Sequence, residues 1–143
     1  GYLGVDTSCY TTSVAYLEGD RLVETRKILT VPLGKRGLRQ SEALFQHLGN
    51  LPLLFEELGP KLGRVTAVAA STRPRPQEDS YLPVFRAGES AAKTLASTLG
   101  CPFIETSHQE GHLWAGFWSA KTKPQGDWLA FIFLEELQKD EKP

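Results

Sequence analysis

Tyr2-Leu-Gly-Val-Asp6, followed at once by Thr7-Ser-Cys-Tyr-Thr11, is the stretch on which the fold turns. Its apolar residues make a short strand that ends on a carboxylate and feeds a turn of small polar side chains. Thr12-Ser-Val-Ala-Tyr-Leu17 then reads as a second strand, with Glu18-Gly-Asp20 as its turn. Arg21 to Val31 alternates well enough to be a third. Three meandering strands therefore open the domain, with Asp6 delivered to the end of the first.

Downstream the period changes. Pro32 to Arg39 is rich in Gly and basic residues and reads as a loop. Ser41, Glu42, Ala43, Leu44, Leu48, Leu51, Leu54, Phe55 and Leu58 then give the spacing of an amphipathic helix, which Pro52 is expected to kink or split. Val65 to Ala70 is a continuous apolar run, as expected of a central strand covered on both faces. Arg73-Pro-Arg-Pro76 and Gln77 to Pro83 form a loop. Phe85 to Leu99 returns to helical spacing, with Gly100 as its stop. Pro102 to Glu105 is a short strand, about His108 to Trp118 a third helix, and Trp128 to Leu134 another buried strand.

This order, β-β-β-α-β-α-β-α-β, predicts an α/β fold: one lobe of an actin/Hsp70-like ATPase (ribonuclease-H-like) fold, a mixed sheet with helices packed on it. Such lobes face a second lobe across a nucleotide cleft. Residues 1–134 are assigned to the lobe, with 128–134 alternatively the first strand of a second one. The charged tail 135–143 reads as a truncation point, since nothing downstream covers the last strand.

With 143 residues, 41% apolar and 23% charged, the chain suits one globular domain with a real core. A net charge of −1 gives no global basic signal, so any nucleic-acid contact must be a local patch or come from a partner. Cys9 and Cys101 lie far apart with no charged-then-apolar leader before them, so the expected location is cytoplasmic. No apolar run approaches membrane-spanning length.

Thr106-Ser-His-Gln-Glu-Gly-His-Leu-Trp-Ala-Gly116 is the one place where metal-binding side chains cluster locally. On a helix, His108 and His112 share a face and can reach one cation. The spacing is that of zincin peptidases, but there a Glu directly follows the first His. Here Gln109 takes that place, and Glu110 projects roughly 200° around the helix from His108. Two imidazoles are also too few for a typical zinc site, which has three or four protein ligands. The alternative is a chance pair on a solvated face.

Four segments, in order, resemble the TsaD/Gcp family of tRNA threonylcarbamoyladenosine-forming transferases, once described as O-sialoglycoprotein endopeptidases. Leu3-Gly-Val-Asp-Thr-Ser-Cys9 is similar to the family's opening strand and turn. Val65-Thr-Ala-Val-Ala leads into Thr72-Arg73, Ala87 to Ala96 resembles its second helix, and His108-Gln-Glu-Gly-His112 its metal-binding pair. The resemblance covers nearly the whole chain. It implies an N-terminal lobe of an enzyme that moves a threonylcarbamoyl group from its adenylate to N6 of adenosine 37 in tRNA, the fragment alone being inactive. It also implies one divalent metal, Fe or Zn, held by His108, His112 and an Asp of the second lobe. A nucleotide, threonylcarbamoyl-adenylate or ATP, is implied as well, with tRNA and TsaB-like and TsaE-like proteins as partners.

The sequence departs from the family in two places. Tyr10 and Thr11 stand where acidic residues are usual, and Arg73-Pro-Arg-Pro replaces a Gly-rich loop through which backbone amides would approach a ligand. A divergent TsaD-like branch is implied.

Asp6, Thr7, Ser8, Glu42 and Lys93 are the candidates for the nucleotide or substrate cleft. Against this, Asp6 is equally read as a turn cap, Glu42 as a first-turn acid on the helix dipole, and Lys93 as a solvated helix residue. Lys35, Arg36, Arg39, Arg73 and Arg75 form a basic set for tRNA phosphates, or simply solvated loop charge. His47 reads as a surface residue, and Trp114, Phe117 and Trp118 as core or lobe interface. Two other functions compete with the transferase: a metallopeptidase of the endopeptidase description, and a noncatalytic TsaB-like scaffold that pairs with a TsaD partner. Exposed helix faces and an uncovered final strand also point to a homodimer of the fragment.

Overall fold

The computed structural model describes residues 1–127. Strands β1 (Tyr2–Asp6), β2 (Thr11–Glu18) and β3 (Arg21–Ile28) form the expected antiparallel meander. Helix α1 (Gln40–Leu58) and a single 3-10 turn at Gly59–Lys61 lead to β4 (Ala67–Arg73), which pairs with β1 in parallel. Helix α2 (Phe85–Leu99) returns the chain to β5 (Phe103–Ser107), parallel to β4, and α3 (His108–Ser119) follows without a loop. The sheet order is β3-β2-β1-β4-β5. This mixed sheet with its helices is one lobe of the actin/Hsp70-like architecture. The readings placed on 128–134 and 135–143 lie outside the described residues.

The period-two alternation of the strands sorts the faces. Leu3 and Val5 of β1, Val14 and Tyr16 of β2, and Val68 and Ala70 of β4 are buried against Leu51, Leu54 and Leu58 of α1 and Ala92 and Ala96 of α2. Small alanines on α2 let that helix approach the sheet closely, and Gly88 is the tightest point. A Cβ there would stand 3.0 Å from Thr7 Oγ1 and 3.4 Å from Val5 Cγ1. Gly100 ends α2 in the left-handed region at φ +64°. A second apolar cluster, Leu29, Leu38, Ala43, Val84 and Phe85, ties the loop before α1 to the loop before α2.

Three expectations are corrected. Strand β3 stops at Ile28, short of Val31. Pro52 does not split α1: it sits on the exposed side, and Leu48, whose carbonyl it leaves without an intrahelical donor, is exposed as well. The aromatics of α3 are not core, because that helix buries no residue, and Trp114 and Trp118 are 62% and 46% exposed.

Candidate functional site: a carboxylate-anchored histidine pair

The sheet face away from α1 and α2 carries Gly4 and Asp6 of β1, Ser13 and Ala15 of β2, and Ala69 and Ser71 of β4. These small side chains floor a concavity of about 640 Å³ walled by His108 and His112. It opens where β1 and β4 end, as ligand crevices do in sheets of this kind.

Asp6 is its anchor. The carboxylate accepts hydrogen bonds from the Ser8 backbone N–H at 2.8 Å, from the Ser8 hydroxyl, and from Ser71 Oγ at 2.5 Å. His108 Nδ1 lies 3.1 Å from Asp6 Oδ2 and 2.8 Å from Ser8 Oγ. The Ser8 hydroxyl already donates to Asp6, so Nδ1 is the protonated nitrogen and its hydrogen is shared between the two oxygens. Burial alone would raise the Asp6 pKa; the hydrogen bond and charge of His108, then Ser71 and Ser8, outweigh it and hold it at about 2. The anchor is therefore anionic at neutral pH.

Protonation at Nδ1 leaves the lone pair of His108 on Nε2, which faces His112 Nε2 at 2.8 Å. The rings meet edge to face, with centroids 4.3 Å apart. With Nδ1 of His108 protonated, its Nε2 accepts from the His112 Nε2–H, a proton that an ion would displace; a carboxylate on the far imidazole nitrogen is the arrangement that orients metal-ligating histidines. Bonds of about 2.0–2.1 Å to a tetrahedral ion hold two ligand nitrogens roughly 3.4 Å apart, so the rings fit an ion after parting by about half an ångström. Partial burial, then the neighbouring His108, lower the His112 pKa, which favours the neutral, ligating form. Among the described residues no group of three or more His, Cys, Asp or Glu side chains is arranged to hold a metal.

Helix α3 is aimed by its cap. Ser107 Oγ accepts from the Glu110 N–H at 3.2 Å, while the Glu110 carboxylate accepts from the Ser107 N–H at 2.8 Å. The Gln109 N–H donates to Pro74 O at 3.1 Å. Glu110 is thus committed to the capping box, on the side away from the histidines.

The other candidates are dispersed. Ser8 joins the cleft, but Thr7 turns away: fully buried, it donates to Val84 O at 2.8 Å and accepts from the Gly88 N–H at 3.0 Å. Glu42 accepts from the Arg39 N–H at 3.1 Å and pairs with Lys35 at 2.9 Å. Lys93 pairs with Glu89 at 2.7 Å and Glu105 at 3.7 Å on the surface of α2. Neither Glu42 nor Lys93 lines the concavity. Arg36, Arg39 and Arg75 are exposed on the two loops that the second apolar cluster joins, and Arg73, half-buried at the end of β4, keeps a buried Nε with no hydrogen-bond partner.

Sequence reasoning missed Ser71, which donates to Asp6, and two further residues. Arg26 stands on the open face in register with Ser13, itself opposite Asp6, and lines the concavity. His47, expected on the surface, is fully buried: Nδ1 lies 2.8 Å from Thr12 Oγ1 and Nε2 3.2 Å from Cys9 O.

No protein-family model matches the chain. Among curated proteins it is 32% identical over 115 residues to the tRNA N6-adenosine threonylcarbamoyltransferase of Pyrobaculum calidifontis, covering 78% of this chain and 32% of that one. It is 36% identical over 124 residues to the enzyme of the same name from Syntrophobacter fumaroxidans, covering 80% and 34%. By sequence, the chain belongs to the TsaD-like family. The TsaD-like chain spans about a third of the length of these relatives. Among solved structures, YeaZ from Pseudomonas aeruginosa superposes with a TM-score of 0.50 at 21% identity, covering 80% of this chain and 49% of that chain, a likeness of fold. No helix among the described residues is long and apolar enough to cross a membrane.

Proposed function

We propose that this TsaD-like chain is the N-terminal lobe of a metal-dependent transferase that moves a threonylcarbamoyl group from its adenylate to N6 of adenosine 37 in tRNA. The observation that carries the reading is His108, held by Asp6 through Nδ1 and presenting Nε2 toward His112. Kinship with the tRNA threonylcarbamoyltransferases supports the substrate class.

In this reading His108 and His112 hold Fe or Zn, and a carboxylate from outside the described residues completes the set. When bound, the ion supplies Lewis-acid stabilisation of charge developing on substrate oxygens. Asp6 fixes the ring and tautomer of His108, and Ser8 and Ser71 keep that carboxylate ionised and still. The concavity beside the pair receives the nucleotide part of the substrate. Lys35, Arg36, Arg39, Arg73 and Arg75 remain the proposed contacts for tRNA phosphates, in the cytoplasm and alongside TsaB-like and TsaE-like partners. In this reading the 143 residues by themselves, alone or as a homodimer, lack catalysis, because the described residues supply one wall of the cleft.

The peptidase reading is disfavoured by Glu110, whose carboxylate is held in the helix cap. The scaffold reading is separated by metal content. Full-length protein, purified without chelator, is expected to retain one ion per chain and to modify adenosine 37 when given threonylcarbamoyl-adenylate, tRNA and partner proteins. Retained metal with no modified nucleoside would sink the transferase, and absence of both would favour the scaffold.

A further inference from the structure

The Asp6–His108 anchor depends on a turn, Thr7 to Tyr10, that carries a strained residue. Cys9 sits at φ +45°, a left-handed conformation that is strained for a residue with a Cβ. The Ser8 amide and hydroxyl that fix Asp6 lie one residue before it. The ends of the turn are tied by Thr7 to Val84 and Gly88 and by Tyr10 to Leu29, and the polar cluster beneath holds Cys9 between them.

His47 Nε2 faces the Cys9 carbonyl, which only accepts, so Nε2 carries the hydrogen and Nδ1 a lone pair. Thr12 Oγ1 must then donate to Nδ1, and its own lone pair accepts from Asn50 Nδ2 at 3.1 Å. The relay runs from Asn50 through Thr12 and His47 to Cys9 O, with every direction fixed. His47 and Thr12 are fully buried and Asn50 is 8% exposed, so bulk water does not reach the links among these three. Helix α1 is thereby pinned to the β1–β2 turn on the side opposite the cleft.

We propose that His47 is a positioning residue for the histidine pair: by holding the Cys9 carbonyl it fixes the turn that places Ser8 on Asp6, and so sets the ring and tautomer of His108. His47 touches no ion and no substrate; it acts through the turn. Placement of the His108 ring is independent of the metal reading, whereas the effect on ion affinity rests on it.

The test compares two substitutions in the full-length protein. His47→Gln keeps an N–H for Cys9 O and an oxygen for Thr12; His47→Leu keeps neither. In the metal-free protein, ring nitrogen resonances are expected to report the Nδ1–H tautomer of His108 in wild type and in His47→Gln, and a mixture of tautomers in His47→Leu. Titration with Co²⁺ is expected to show about tenfold weaker binding in His47→Leu and near wild-type binding in His47→Gln, the size of an outer-shell effect. Leu54→Ala, a core truncation on the same helix remote from the turn, controls for lost stability and should leave both readouts unchanged. An unaltered His108 tautomer in His47→Leu, or an equal change in Leu54→Ala, overturns the proposal. If wild type binds no Co²⁺ while the tautomer shift appears, the metal reading fails and the positioning role stands.

Discussion

Two histidine sites lie on opposite sides of one turn, and they differ in what their nitrogens have left to do. His47 is sealed between α1 and the sheet, and both ring nitrogens are spent on protein groups. His108 spends one nitrogen on Asp6 and turns the other toward His112 at the rim of the concavity. The first is a finished structural bond. The second, in the proposed reading, is half of a coordination site, and a nitrogen turned to a rim imidazole instead of a buried protein group marks where chemistry can occur.

The sharpest way to break this contrast is to remove each ring in turn. His47→Leu removes the acceptor of the buried Thr12 hydroxyl proton and the imidazole donor to the Cys9 carbonyl, and we expect a loss of roughly 2–4 kcal/mol in urea unfolding. The sign of its pH dependence follows from burial, which lowers the His47 pKa in the folded state. The unfolded chain, titrating near the ordinary value of about 6.5, takes up the proton first. Stability is then full above about pH 6.5 and declines as pH falls below it, and His47→Gln should flatten that slope.

Asp6→Asn comes next. A pKa lowered from 3.8 to about 2 corresponds to about 2 kcal/mol of stability, present above pH 4 and lost as the pH falls toward 2. The variant should lose about that much at pH 7 and show a shallower acid limb. Removing the helix cap with Ser107→Ala should cost about 1 kcal/mol, read as a lower melting temperature. His112→Ala is the smallest: within about 0.5 kcal/mol of wild type in stability, while metal content of the full-length protein falls below one ion per chain. A large destabilisation there would erase the distinction between the two sites.

Much of the lobe was legible in local pattern. Helix α2 runs from Phe85 to Leu99 as its spacing predicts, because small residues on one face and a left-handed Gly100 are local signals. The Ser107-His-Gln-Glu110 capping box, a local pattern that the reading of the sequence passed over, explains why Glu110 is not beside the histidines. His47 and Asn50 were not legible. The buried stripe of α1 includes Ala43, His47, Asn50, Leu51, Leu54 and Leu58, whereas Leu48 points outward. Hydrophobic periodicity assigns polar residues to solvent; the distant Thr12 hydroxyl and Cys9 carbonyl make this inward polar pair affordable. Thr7 misled for the mirror reason, its hydroxyl being claimed by Val84 and Gly88 far along the chain. Arg26 needed strand register before it could be placed near Asp6.

Helix α3 carries both histidines and yet contributes no buried residue to the core. Folding of the lobe and shaping of this edge are therefore separable: most of α3 can be rewritten with little effect on whether the sheet assembles, while changes at His108, Gly111, His112 and Ala115 act on the mouth of the crevice. The lobe offers a stable chassis on which the front end can be exchanged.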